Sequence, residues 1–455
     1  MKNLQSGIQN NLIQKDGISS KTYVIFFCEN QKNVIEMLIL RKISTRNKHF
    51  ICIIQIAKTL RRKEMKKFIS VLTAGLMALS LVACGSSSTS TTTTEPETTG
   101  STTDETAEVS EMKVAMVTDY GDITDQSFNQ ATYEASKKFC EDNGVEFTYK
   151  KPATDADLDR EASMEEAIEE GYNVIVLPGY AFAQAIVDVA PNYPDVKFVA
   201  LDVSQGDLDS SNGGSTFTAD NVFSGVYQEE LCGYMAGYAA VKLGYTKLGF
   251  LGGMAVPAVQ RYGYGFVQGA NAASVELGNT ADVVINYVYG GQFYGDADIT
   301  ARMDTWYQGG TEVVFACGGG IYSSAAEAAT KVDGKVIGVD VDQAPTIDGA
   351  YGEGITVTSA MKGLGATVNT LLKAIQDGKW DEYKGQVLTL GLVSENPDEN
   401  YVGLPSSTQF ADGFTEDDYK ALVSKLYNGE IEVSNATDAM PTTEITVNDE
   451  GSIKG

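Results

Sequence analysis

The sequence predicts an α/β protein made of parallel sheets, and three observations carry that expectation. Short apolar runs such as Val114-Ala115-Met116-Val117 lack polar alternation, the mark of strands buried on both faces. Between such runs lie stretches with apolar residues at helical spacing. After the first run, Phe128, Ala131, Ala135, Phe139 and Cys140 recur in this way through residues 126–141. Several runs also end in Gly, Asp or Asn, where a βα turn must bend and where ligands of open sheets sit. Parallel strands need helical crossovers, so this alternation means parallel sheets.

In chain order, the remaining expected strands are 173–177, 196–201, 215–219, 247–251, 283–289, 313–316, 336–339 and 355–358. The helices expected between them are 161–170, 182–190, 223–242, 259–277, 299–308, 323–331 and 363–377, with a late helix at 416–427. Residues 112 to the end provide length for two lobes.

The N-terminal part has a different composition. Residues 1–83 carry 14 Lys and Arg against 4 Asp and Glu, together with the sole histidine, His49. From Met65 the pattern is Lys66-Lys67, an apolar stretch to Ala83, then Leu81-Val82-Ala83-Cys84. This is a signal peptide over 65–83, with an apolar core too short to span a bilayer. Its LVAC ending resembles the lipobox of bacterial lipoproteins, in which the cysteine is acylated with chains such as palmitate. Cys84 is therefore the expected lipid attachment point. Export signals sit at a true N-terminus, so residues 1–64 are expected to be an upstream extension that is not translated. Arg61-Arg62-Lys63-Glu64 can be encoded by a purine-rich, ribosome-binding-like stretch just ahead of the Met65 codon. Residues 84–111 comprise Cys84 and a Ser/Thr/Glu tract that cannot bury a core and reads as a solvated tether.

Beyond residue 83 the chain has 20 Lys and Arg against 57 Asp and Glu, a net charge near −37. Such a body repels nucleic acid, which is excluded as a partner. With no histidine there, Ser/His and Cys/His catalysis and the usual zinc sites lose support. No phosphate-binding loop, nucleophile elbow or CxxC pair is present, so no cofactor and no metal are expected and the chain does not read as an enzyme. Cys140, Cys232 and Cys317, each in apolar or Gly-rich surroundings, read as buried single thiols.

The motifs LVAC (81–84), VTDYGDITDQSFN (117–129), VALDVS (199–204), YMAGYAA (234–240), GGMAVPAVQRYGYGFVQGA (252–270), GVDVDQ (338–343) and TSAMK (358–362) occur in that order. Their combination resembles the basic membrane protein family, nucleoside-binding lipoproteins that feed ABC transporters. The resemblance spans Met65 to about Pro405. It implies a type I periplasmic-binding-protein fold, with two doubly wound parallel-sheet lobes joined by a three-segment hinge. With the strand reading, it divides the chain into a first lobe of 112–219 plus 358–380 and a second of 220–357 plus 381–455. It further implies a monomer, anchored by lipid on the extracytoplasmic face of the cell membrane, that hands a purine or pyrimidine nucleoside to ABC permease subunits.

On matching positions the resemblance implies ligand contacts at Asp119, Phe128, Asn129, Asp202, Phe293, Gly318, Asp340 and Lys362. Phe128 and Phe293 would sandwich the base. Tyr294 is the alternative to Phe293, because the stretch YGGQFYGDAD carries extra residues before its aspartates. Asp122 and Asp125 read as helix caps, and Met254, Tyr262 and Tyr264 as packing. The chemistry is apt: aromatic faces stack on a flat base, and carboxylates accept from a diol. Several acids facing one lysine favour an unphosphorylated ligand. The competing readings are a sugar or signalling-furanose receptor of the same fold and a surface sensor without transport. Membrane attachment gives a direct test: Cys84→Ala should leave the protein unprocessed or released, read by detergent partitioning, and partitioning equal to wild type would refute the anchor.

Overall fold

The computed structural model describes residues 23–30, 34–41 and 111–454 apart from Tyr120, in two units, Met1–Glu105 and Thr106–Gly455. In the first unit, β1 (Tyr23–Asn30) and β2 (Val34–Arg41) form an antiparallel hairpin. The signal peptide, Cys84 and the tether up to residue 110 lie outside the described residues.

In the second unit, unbroken apolar runs build two parallel sheets, as the sequence predicts. The first sheet begins with β3 (Lys113–Val117), β4 (Glu146–Lys150), β5 (Val174–Pro178) and β6 (Lys197–Leu201). It is completed by β7 (Val222–Tyr227) and β13 (Val387–Leu390), in the order β13-β7-β6-β5-β3-β4, all parallel. Burial on both faces is visible residue by residue. Val114 and Met116 enter one core with α1 (Phe128–Asn143) and α10 (Leu364–Gln376), whereas Ala115 and Val117 enter another with α2 (Asp157–Glu169), α3 (Ala183–Val189) and α4 (Gln205–Ser211).

The second sheet runs β14-β12-β11-β10-β8-β9-β15. Its strands are β8 (Lys247–Gly252), β9 (Val284–Tyr289), β10 (Val313–Cys317), β11 (Lys335–Asp340), β12 (Thr356–Lys362), β14 (Val402–Gly403) and β15 (Thr446–Ser452), all parallel except β14. One face carries α5 (Glu229–Lys242), α6 (Pro257–Leu277) and α11 (Glu416–Tyr427). The other carries α7 (Ala297–Gln308), α8 (Tyr322–Ala329) and α9 (Ala344–Tyr351). The chain crosses between sheets three times: from β7 into α5, from β12 through α10 to β13, and from β13 to β14. This is the two-lobed type I periplasmic-binding-protein architecture.

The lobe borders differ from the expected ones. Residues 215–219 form no strand; the strand is Val222–Tyr227, within the span expected to be helix, and α5 begins only at Glu229. The first sheet thus extends past 219 and also claims Val387–Leu390, whereas Thr356–Lys362 belongs to the second sheet. The physical reason is that β7 and the nearly all-buried α5 are both apolar without a clean period, so the pattern holds no border between them.

Helices α5 and α6 touch through glycine. A Cβ at Gly233 or Gly237 would collide with the Tyr262 or Phe266 carbonyl, and one at Gly265 or Gly269 with the Glu230 or Tyr234 carbonyl. Each pair is four residues apart, so both helices turn a smooth strip to the other. Gly269→Ala should cost about 1–3 kcal/mol by overpacking backbone that cannot retreat. Gly349→Ala in α9, with no atom within 4 Å of the new methyl, should instead raise stability by roughly 0.5–1 kcal/mol. Denaturant titration of the two variants distinguishes them, and equal effects would refute the packing argument.

Candidate functional site

The carboxyl ends of the strands in both sheets open on one cavity of about 510 Å³, within the roughly 300–1,000 Å³ usual for small-molecule sites. Asp119, Phe128, Asn129, Asp202, Phe293, Gly318, Asp340 and Lys362 all line it. Residues as far as 243 positions apart in the chain, Asp119 and Lys362, are drawn together because every one of the eight follows or ends a strand, or opens the helix after it.

At its centre is Lys362, the last residue of β12, with a side chain only 3% exposed. Its Nζ lies 2.5 Å from Asp202 Oδ2, 3.4 Å from Glu229 Oε1 and 3.6 Å from Asp340 Oδ1. Three rings surround the ammonium: Phe128 at 4.7 Å, Tyr227 at 5.5 Å and Tyr262 at 5.6 Å from their centroids. Burial pushes the lysine pKa down, but Asp202, Asp340 and Glu229 outweigh it and hold it well above the ordinary value. Glu229, fully buried, also accepts from Arg261 Nε at 2.7 Å, and Arg261 lines the cavity as well.

Asp202 and Asp340 end adjacent-to-cleft strands in opposite lobes, and both have left-handed backbones, with φ of 62° and 66°. Such strain gathers at functional sites. Burial pushes Asp202 up to about 7 against the pull of Lys362, and its Oδ1 is buried without a hydrogen-bond partner. That oxygen awaits a donor. Asp340 accepts from Ser127 Oγ at 2.6 Å and from Tyr262 OH at 3.3 Å. The Ser127 bond crosses from one lobe to the other. So do two more: Gln343 Nε2 donates to the Gln126 carbonyl at 2.9 Å, and Thr346 Oγ1 to Gln126 Oε1 at 3.0 Å.

In the loop after β3, Asp125 accepts from the backbone N–H groups of Ser127, Asn129 and Gln130, capping α1 as expected. Asp122, also expected to cap, instead pairs with Lys151 at 2.5 Å and leaves the capping to Asp125. Asn129 spends its amide on Asp119 Oδ1 at 2.9 Å and Asp125 Oδ2 at 3.1 Å, so it fixes the Asp119 carboxylate. Burial pushes Asp119 up to about 6, against the Gly121 N–H and the Asn129 amide.

Phe293 and Tyr294 both line the cavity but differ in setting. The Phe293 ring lies on glycine: a Cβ on Gly318 would stand 2.8 Å from its Cδ1, and one on Gly253 closer still. The Phe293 carbonyl is held by the Gly320 N–H at 2.9 Å. Tyr294 is 63% exposed.

Sequence reasoning missed Ser127, Gln126, Glu229 and Arg261. Glu229 looks like any acid in a first helical turn, and only its zero exposure beside two cations distinguishes it. Tyr262, expected to be packing, is buried yet also reaches the cavity and steadies Asp340. The cysteines Cys140, Cys232 and Cys317 are buried and free, as expected. Among the described residues no helix is long and apolar enough to cross a membrane.

The family model for ABC transporter substrate-binding proteins, PnrA-like, matches residues 112–437. The ABC transporter nucleoside-binding protein BmpA of Lactococcus lactis is 27% identical over 317 residues, 66% of this chain and 83% of that protein. An uncharacterized lipoprotein of Pyrococcus abyssi is 27% identical over 322 residues, covering 69% and 74%. Among solved structures, a solute-binding protein of an ABC transporter system from Aeropyrum pernix superposes with a TM-score of 0.57 at 21% identity, over 72% of this chain and 94% of that one.

The buried acids give a pH prediction. Asp119 and Asp202 keep their protons to about 6 and about 7 when folded, and burial lifts Glu230 to about 7 too. The unfolded chain releases these protons near pH 4. The native state therefore binds more protons between about pH 4 and 7, and stability falls as pH rises through that window. Thermal unfolding should give a higher midpoint at pH 5.5 than at pH 8, with Glu230→Gln shrinking the difference. A midpoint that rises with pH would contradict it.

Proposed function

The chain belongs to the Bmp family of PnrA-like ABC transporter substrate-binding proteins, and on that premise we propose that its cleft captures a nucleoside for delivery to a membrane permease. The observation that carries the reading is the cavity itself: two aromatic side chains, Phe128 and Phe293, and carboxylates from both lobes face one space. A nucleoside has two matching parts. Its base offers two flat faces, each worth roughly 1–3 kcal/mol when stacked on an aromatic ring. Its ribose offers hydroxyl donors, and charge-assisted bonds to carboxylate are the strong ones.

In this reading Asp119, steadied by Asn129, faces the base edge. Asp202, with its unpartnered Oδ1, and Asp340 accept from the ribose beside Lys362 and the Gly318 backbone. The six carboxylates that line the cavity, Asp119, Asp122, Asp125, Asp202, Asp207 and Asp340, exceed its three cations, Lys151, Arg261 and Lys362, which disfavours a phosphorylated ligand. The relatives named as a nucleoside-binding protein and as a lipoprotein support the ligand class and an extracytoplasmic, membrane-anchored position through Cys84. Lipid-tethered and monomeric, the protein binds and releases without transforming its ligand.

Two variants test the assignment. Phe128→Ala should weaken every tolerated nucleoside about tenfold to a hundredfold, because a π face discriminates little between bases. Asp340→Ala should act through the sugar. Wild type should bind a free base much more weakly than its nucleoside; Asp340→Ala should narrow that gap and Phe128→Ala should leave it. Titration calorimetry with a nucleoside, its base and ribose measures all three. Wild-type affinity in Phe128→Ala would remove Phe128 from the site, and ribose binding as tightly as any nucleoside would favour a sugar receptor.

A further inference from the structure

The family match ends at residue 437, but the described chain continues to Lys454 and does so against the cavity wall. Strand β15 adds to the edge of the second sheet beside β9, from Thr446 opposite Val284 to Ser452 opposite Tyr289, with a one-residue shift of register after Asp449. Tyr289 is the residue from which the loop 290–296 departs, and that loop carries Phe293. Beyond the strand, the Ile453 N–H bonds the Tyr289 carbonyl at 2.8 Å. Lys454 Nζ then donates to Gln292 Oε1 at 2.7 Å and pairs with Asp296. Gln292 Nε2 in turn donates to the Tyr294 carbonyl at 2.9 Å and to Asp296 Oδ2 at 3.0 Å. The backbone approach is equally close: a Cβ on Gly291, which has φ of 82°, would stand 2.8 Å from Lys454 Cβ.

We infer that the C-terminal segment 446–454 is a positioning element for the ligand site, with Lys454 clamping loop 290–296 so that the Phe293 ring is held against its glycine floor. Three points favour this over simple edge-covering. Lys454 engages residues on both sides of Phe293, Gln292 and Asp296. Asp296 also caps α7 through the Asp298 and Ile299 N–H groups, so the clamp ties the loop to a fixed helix. Toward the sheet the loop is held by the Gly290 and Gly291 N–H groups on the Gly252 and Gly253 carbonyls and by the Gly320 N–H on the Phe293 carbonyl, and Lys454 adds a side-chain hold on its outer side, where Tyr294 is exposed. Farther along the same tail, Glu450 accepts from Trp306 Nε1 at 3.0 Å and pairs with Arg302 on α7, anchoring the segment to the lobe it serves.

An ordered aromatic face loses less side-chain and loop freedom on stacking, so the clamp should raise affinity without touching ligand. The inference rests on the nucleoside reading for its affinity arm only. In the full chain, Lys454→Ala should speed amide exchange across residues 290–296 without ligand, and should weaken adenosine or uridine binding about twofold to fivefold, the range of one partly exposed charged contact. Lys454→Arg should restore both. Deletion of 446–455 should give a larger effect of the same kind, while a purely structural tail would lower the melting temperature and leave loop exchange and affinity as in wild type after Lys454→Ala. Unchanged exchange in 290–296, or faster exchange with unchanged affinity, overturns the inference. If the wild type binds neither adenosine nor uridine, the nucleoside reading falls, and exchange alone decides whether the tail holds the loop.

Discussion

A single buried ammonium organises this protein. Lys362 ends a strand of the second sheet, yet its shortest contact is with Asp202 at the end of a strand in the first. Its third carboxylate, Glu229, lies at the start of the helix that makes the first crossing between lobes. Neither partner could be buried alone, since an uncompensated ion in the interior costs several kcal/mol. The lysine thus fixes where the lobes meet, and the acids fix its charge. Arg261 extends the network by taking the other oxygen of Glu229. What the network leaves unsatisfied is small and directional: one oxygen of Asp202, buried and without a donor.

The same arrangement explains how much could be read beforehand. Strands β3, β5, β6, β8, β10 and β11 were legible because each is an apolar run bounded by turn residues, and their ends located the cleft. Asp202 and Asp340 stand at or just beyond such ends, but their proposed ligand roles, like that of Phe128, came from the family resemblance. Lys362 was legible only by resemblance: a lysine before a Gly-led helix has no sequence mark of burial. Strand β7 was hidden for the opposite reason, since Val222–Tyr227 merges into a helix buried almost all round. Asn129 shows a further limit. The resemblance set it beside Asp119, but the hydrogen bonds that spend its amide within the loop depend on the turn made by Gly121 and Asp125.

Glycine has two distinct uses here. Between α5 and α6 it removes side chains so that two helices of one lobe act as a single slab. Beneath Phe293 it removes them so that a ring can lie against backbone. The first stiffens the body behind the cleft, the second shapes the wall in front of it. Both depend on the absence of a Cβ rather than on any contact glycine makes, which is why neither carries a chemical signature in the sequence.

Three hydrogen bonds, from Gln343 and Thr346 to Gln126 and from Ser127 to Asp340, join the two lobes directly. At a net worth of about 0.5–1.5 kcal/mol each, they favour this arrangement of the lobes whatever is held between them. Any motion that parts the lobes must break all three, so their combined strength weighs on ligand entry and on ligand release alike.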